Sequence, residues 1–218
     1  MQIEELIEYY PRLYHMAADG SWPCIRQRGL RSTASLVDLF QVPEPRRTEL
    51  LTQHRGGCVP LLHPRYGHAV IRDQKPLQVA KLEQLLTDMT VAEWIRLLNS
   101  HVFFWLHPGR LTTLLNARAY RRRPHLVLTV DTRSLITAHL ERIRLSRLNS
   151  GATTYMNGLR GSATFQRIAD FQHPRSRLRP SRSIAELAVE EGVPDIVDHT
   201  VEVERRQGDR VLETISSR

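Results

Sequence analysis

Lysine is almost missing from this 218-residue sequence: Lys75 and Lys81 stand alone among 31 basic residues, and the others are arginine. Cysteine is as scarce, with only Cys24 and Cys58. That excludes a disulfide framework and suits a reducing compartment, where both are expected to be small buried hydrophobes. No run approaches the roughly 18 consecutive apolar residues that a membrane span needs. The opening, MQIEELIEYYPRLYH, is acidic and amphipathic and has neither the basic start nor the apolar stretch of an export signal. A cytoplasmic location with no membrane partner is therefore expected. Three common ligand motifs are also absent: the glycine-rich dinucleotide fingerprint behind a strand, the Walker-type phosphate loop and the Gly-x-Ser-x-Gly elbow. A nucleotide bound here needs a pocket of another design.

What is present is positive charge. The net charge of +8 comes with 41% hydrophobic and 25% charged residues, which are globular proportions. The length suits one sizeable core, so a single domain is expected, and the charge favours a polyanionic partner, a nucleic acid above all. Two arginine-rich runs, YRRRPH (120–125) and HPRSRLRPSR (173–182), each precede a strand and could form a phosphate-tracking rim. Aromatic interleaving is sparse, and Tyr120, Tyr155 and Phe165 are the nearby candidates for a stacking platform. His54, Cys58, His63 and His68 fall within fifteen residues, but their spacing matches no standard zinc pattern, and no metal site is expected.

Periodicity predicts a helix over 2–10 ended by Pro11, then a strand at RLYHM. Ser21 is placed to cap a helix over Trp22–Arg28, with Pro23 in its first turn and Gly29 at its stop. ASLVDLF reads as a short helix, and residues 42–67 as a long loop-rich excursion with a helical turn near RRTELLTQH. A strand at HAVIRD is followed by a helical block from Leu77 to Asn99, interrupted before Thr90, which caps VAEWIRLLN. HVFFWL and HLVLTVDT read as buried strands, with helices at PGRLTTLLNARAY and RSLITAHL. ERIRLSRL reads as an exposed edge strand, residues 149–183 as loops, and the end as SIAELAV followed by a hairpin over a Gly-Asp turn. Strands at the start, middle and end with helices between them make an α+β domain.

Glu186 stands out. It sits in an otherwise apolar strand, on the face shared by Ile184 and Ala188. An acid there either lies at an edge or lines a cleft, because burying it unpaired is costly.

Three segments carry a resemblance. LYHMAADGSWPCIRQRGLRS resembles the opening of the DarT-type ADP-ribosyltransferases, where a Tyr-His pair ends the first strand ahead of a helix closing in Gly-Leu. HVFFWLHPGRL is similar to their central aromatic strand, and IAELAVEEGVPDIVDHTVEV to their closing strand and turn. The segments occur in the family's order and span most of the chain. Ala17 and Ser21–Trp22 stand where that opening has Thr or Ser and Asn, so the family's choice of base does not carry over.

The resemblance implies an ADP-ribosyltransferase-like split mixed sheet with flanking helices. It also implies NAD⁺ as substrate, with nicotinamide released and ADP-ribose passed to DNA or RNA through an oxocarbenium-like transition state. It assigns Glu186 to the reacting ribose, His15 to the ribose or adenosine side, and Arg110 to the pyrophosphate or the acceptor. Met16, Gly29, Ser32 and Thr33 fall to cofactor binding, and NSGATTYMNG to acceptor binding. A toxin or defence role with an antitoxin-like protein partner would fit such a family. The alternative is a non-catalytic, arginine-rich nucleic-acid-binding domain on the same fold.

Overall fold

In the computed structural model, which describes residues 1–153, 158–172 and 183–217, the chain starts with α1 (Ile3–Tyr9) and β1 (Arg12–Ala18). Helix α2 (Trp22–Arg28) has its proline in the first turn, as its sequence implies. Ser21 makes no capping bond, because its backbone is helical (φ −76°, ψ −14°) rather than extended. Gly29 stops the helix at φ +81° and ψ 167°, a region open in practice to glycine alone. Two short elements follow, β2 (Leu30–Arg31) and α3 (Thr33–Leu39).

The excursion over 42–67 is folded. It holds α4 (Arg46–Thr52) and leads through a hairpin of β3 (Val59–His63) and β4 (Gly67–Ile71). Leu50, Leu51, Leu61 and Ile71 pack there with Val37 and Phe40 into a small core of their own. Strand β3 is hidden in the sequence because Pro60 lacks an amide and argues against a strand. The two-stranded hairpin tolerates it, since no third strand needs that amide.

Next come α5 (Val79–Leu85) and α6 (Val91–Asn99), the latter closed by a capping box between Thr90 and Glu93. Then follow β5 (His101–Trp105), α7 (Pro108–Leu115), β6 (His125–Asp131), α8 (Thr132–His139) and β7 (Ile143–Ser146). The chain closes with β8 (Glu186–Glu190), β9 (Gly192–Val193), α9 (Ile196–His199), β10 (Thr200–Gln207) and β11 (Arg210–Ser217). The last two strands join over Gly208–Asp209, as expected.

Seven strands form the main sheet in the order β11-β10-β6-β1-β5-β8-β7, and every pairing in it is antiparallel. The expected mixed sheet is thus corrected: no crossover returns a strand beside its neighbour in the same direction. The sheet parts in its middle. β1 matches β6 from Arg12 to Ala18, but meets β5 only where Tyr14 faces Trp105. Helices flank both faces, with α1, α2 and α8 contributing to the largest core and α7 closing over Met16 and Val127. β7 ends the sheet, yet Ile143, Leu145 and Ser146 are buried, and Leu145 exchanges two backbone bonds with Gln166 (2.7 and 3.0 Å). It is therefore a covered edge rather than an exposed one. Among the described residues no helix is long and apolar enough to cross a membrane.

Candidate active site

The parting of β1 from β5 opens a cavity of about 320 Å³, a size at the lower end for cofactor sites. Its walls come from the end of β1, the β2–α3 corner, the β4 end, the aromatic face of β5, the loop after β7, and Glu186 of β8. His15, Met16, Gly29, Ser32, Thr33 and Glu186 all line it. Six residues singled out from distant parts of the sequence therefore meet in one place.

His15 bridges the gap. Its Nδ1–H donates to the carbonyl oxygen of Phe103 at 2.8 Å, so the ring supplies a contact where the β1–β5 ladder has none. A carbonyl oxygen only accepts, which puts the proton on Nδ1 and leaves Nε2 as an acceptor. Burial holds the ring pKa down to about 4 against the Phe103 bond that favours its charged form. The imidazole is thus neutral at physiological pH and suited to accept from a hydroxyl group.

Glu186 is buried, 4% exposed, between Trp105 of β5 and Ser146 of β7. Oε2 accepts from both the amide of Ser150 (3.0 Å) and its hydroxyl (2.6 Å). Among the described residues nothing bonds to Oε1. Burial pushes the carboxyl pKa up to about 7, opposed by the Ser150 bonds and by the charges of Arg110 and Arg160.

Among the described residues three arginines line the cavity, and sequence reading singled out none of them. Arg31 donates from Nε to the carbonyl of Arg28 (2.7 Å). Arg72 gives Nη1 to the carbonyl of Met16 (3.0 Å) and lies over the Tyr120 ring at 5.1 Å. Among the described residues no hydrogen bond uses the remaining guanidinium N–H groups of either. Arg55 instead is a buried strut, donating to the Leu50 carbonyl (2.6 Å) and to Asn99 Oδ1 (2.9 Å), with its pKa brought down to about 10 by burial. The signal for Arg31 was adjacency to Gly29. Arg55 and Arg72 carried none, since they enter the wall only through the folded hairpin.

Other placements differ from expectation. Arg110, the expected pyrophosphate or acceptor ligand, is not in the cavity wall; it lies on the first turn of α7, and only its charge reaches Glu186. Ser32 Oγ is committed to capping α3, accepting from the Ser35 amide (3.1 Å). Gly29 serves packing, since a β-carbon there would stand 2.5 Å from Pro194 Cα. Phe165 belongs to a stack with Trp94 and His101 and is no surface platform. Cys24 is half-buried and Cys58 exposed near Asp73, so neither is the buried hydrophobe expected. Tyr155 and the run 173–182 lie outside the described residues, as do residues 154–157 of the loop expected to receive an acceptor. Tyr120 lines the cavity, donating its hydroxyl to Asp73 (2.7 Å), and Arg121, Arg122 and Arg123 are exposed beside it.

A search among curated proteins finds no match. A sequence profile described as a family of unknown function, DUF7002, matches residues 11–200. The chain belongs to the DUF7002 family. That span holds His15, Arg31, Arg72, Ser150 and Glu186, so the whole cavity is DUF7002 sequence, whereas β11 lies beyond it.

The DUF7002 span also contains a group with ligand-type atoms within 4.8 Å of one another, formed by His139, Asp195 and His199. Its bonding is already assigned. Arg142 donates to His139 Nδ1 (2.6 Å), which places the His139 proton on Nε2, facing Asp195 Oδ1 at 2.7 Å. A metal at Nε2 would have to displace that proton beside a guanidinium. The group instead ties the turn after β9 to α8. His54 and Cys58 point to separate partners, Gln74 and Asp73, and His63 stacks on Tyr66 at 4.5 Å.

Proposed function

We propose that the cavity binds NAD⁺ and that the protein transfers ADP-ribose from it to a nucleic acid, releasing nicotinamide. The observation that supports this reading most is the meeting of His15 and Glu186, from opposite ends of the chain, across a parted antiparallel sheet. The parting agrees with the split sheet that the resemblance implies, although the strands here are antiparallel throughout.

The residues present suit such a substrate. Among the described residues, Arg31 and Arg72 have further N–H groups not engaged in hydrogen bonds, which match a pyrophosphate, and Glu186 Oε1 has no partner; His15 Nε2 accepts from a ribose hydroxyl. NAD⁺ supplies a glycosidic bond whose leaving group departs as neutral nicotinamide. Glu186, when ionised, stabilises the positive charge that develops on the ribose, an electrostatic contribution of about 3–4 kcal/mol for a well-placed group. The same carboxylate takes up the proton that the acceptor loses. His15 stays neutral and holds the sugar in register.

Incubation of the protein with NAD⁺ and mixed DNA and RNA, followed by nicotinamide, tests the reading; free nicotinamide and a labelled polymer are expected. Salt-sensitive binding of nucleic acid with no nicotinamide released would favour a purely binding role, for which the exposed Arg121–Arg123 run beside Tyr120 is the supporting feature. Arg31→Ala and Arg72→Ala are each expected to weaken NAD⁺ binding by about 10-fold or more, the value of a lost charge-assisted bond, with melting temperature little changed. Calorimetric titration of each variant checks this.

A further inference from the structure

The loop after β7 contains a buried cation to which, among the described residues, no carboxylate is bonded. Arg160 is 1% exposed. Its guanidinium donates to the carbonyl oxygens of Gly158 (2.7 Å), Ala152 (2.6 Å) and Asn149 (3.3 Å). Three carbonyls of one loop thus converge on a single side chain, and two of them bracket Ser150. The same loop is anchored from outside. The Arg160 amide donates to Leu85 (2.8 Å), its carbonyl accepts from Thr87 (2.9 Å), and the Thr153 amide donates to Pro76 (3.0 Å). Ser150, held between these anchors, presents both of its donors to Oε2 of Glu186, a residue that lines the cavity, and among the described residues nothing bonds to Oε1.

We propose that Ser150, seated by Arg160, is the positioning residue for Glu186: it fixes which carboxylate oxygen faces the cavity and keeps that carboxylate ionisable inside the protein. The role of Glu186 in group transfer rests on the reading above, but the positioning itself does not. Burying a carboxylate favours its neutral form, and a neutral acid can neither stabilise positive charge nor accept a proton. Two donors on Oε2 and the charge of Arg160 work against that loss. Among the described residues the other charge acting on the group is that of Arg110, from α7; its strand neighbours Trp105 and Ser146 are uncharged, and His15 across the cavity is neutral. Among the described residues no carboxylate is bonded to Arg160, and the charge of Glu186 acts on it. Ser150 is thus bonded to Glu186, while its loop neighbours Asn149 and Ala152 are bonded to Arg160.

The test reads Glu186 directly. Carbon-13 labelling of glutamate side chains, with the signal assigned by Glu186→Gln, gives the titration midpoint of Glu186 in the ligand-free protein. In the Ser150→Ala variant, which keeps the amide bond and loses the hydroxyl, the midpoint is expected to rise by about 1 pH unit. Arg160→Lys, which keeps the charge but cannot span three carbonyls, is expected to raise it as well. If Arg160→Lys fails to fold, Ser150→Ala alone decides. A folded Ser150→Ala protein with an unchanged midpoint overturns the proposal. Nicotinamide release across pH, measured on the same proteins, should shift upward with the midpoint. If the midpoint moves and no protein releases nicotinamide, the positioning stands and it is the transfer reading that fails.

Discussion

Replacing Glu186 by Gln is expected to lower nicotinamide release by about 100-fold or more while making the protein more stable above pH 7. The first effect follows from removing the carboxylate that faces developing positive charge, worth about 3–4 kcal/mol. The second follows from burial. The carboxyl titrates at about 7 in the folded chain against an ordinary 4.5. Between those values the folded state holds a proton that the unfolded state has released. Stability therefore falls as pH rises from about 4.5 to 7, by up to about 3 kcal/mol at full ionisation. Glutamine keeps the shape, still accepts from Ser150, and carries no charge to bury. Thermal melts from pH 5 to 8 should show wild-type stability declining and Glu186→Gln much flatter. A variant that loses activity without flattening the curve would place the carboxylate in water, against the buried position seen here. Wild-type activity should rise through the same range, because only the ionised form serves the reaction.

Gly29→Ala is expected to lower the melting temperature by roughly 5–15 °C and to cost ligand affinity with it. Two strains add. At φ +81° and ψ 167° a side chain is disfavoured, and the added β-carbon would meet the Pro194 backbone at 2.5, 2.7 and 2.9 Å. Those atoms belong to a main chain that cannot turn aside as a flexible side chain does. Gly192 closes the same contact from the other strand, since its β-carbon would stand 2.4 Å from the Leu30 carbonyl oxygen. Leu30 pairs with Val193 and Arg31 with Gly192, so pushing these backbones apart displaces Arg31 from the cavity wall. Differential scanning calorimetry with an NAD⁺ titration checks both effects. A stable Gly29→Ala protein with unaltered binding would show that the close approach is dispensable.

Much of the framework could be read from local pattern. The caps at Thr90 and Gly29, the apolar runs of β5 and β6, and the final hairpin are set by residues within a few positions of each other, and each lies where periodicity puts it. Glu186 was legible for the same reason: a charge in an apolar strand is a local anomaly. Ser150 was not, because a serine in a polar loop is unremarkable until the loop folds onto the acid. Arg110, assigned by the resemblance, starts a proline-led helix outside the cavity lining, and its charge alone reaches Glu186.

The residues alone determined an α+β chain, arginine-rich, with a histidine and an acid in unusual strand positions. Tertiary structure decided where the sheet parts, which arginines face the gap, and that a folded hairpin stands where the text reads as loop. The physical reason is range: capping and periodicity act over one or two turns of chain. The cavity instead depends on β1 and β5 separating after a single shared pair, and on an imidazole from one strand reaching the carbonyl of the other.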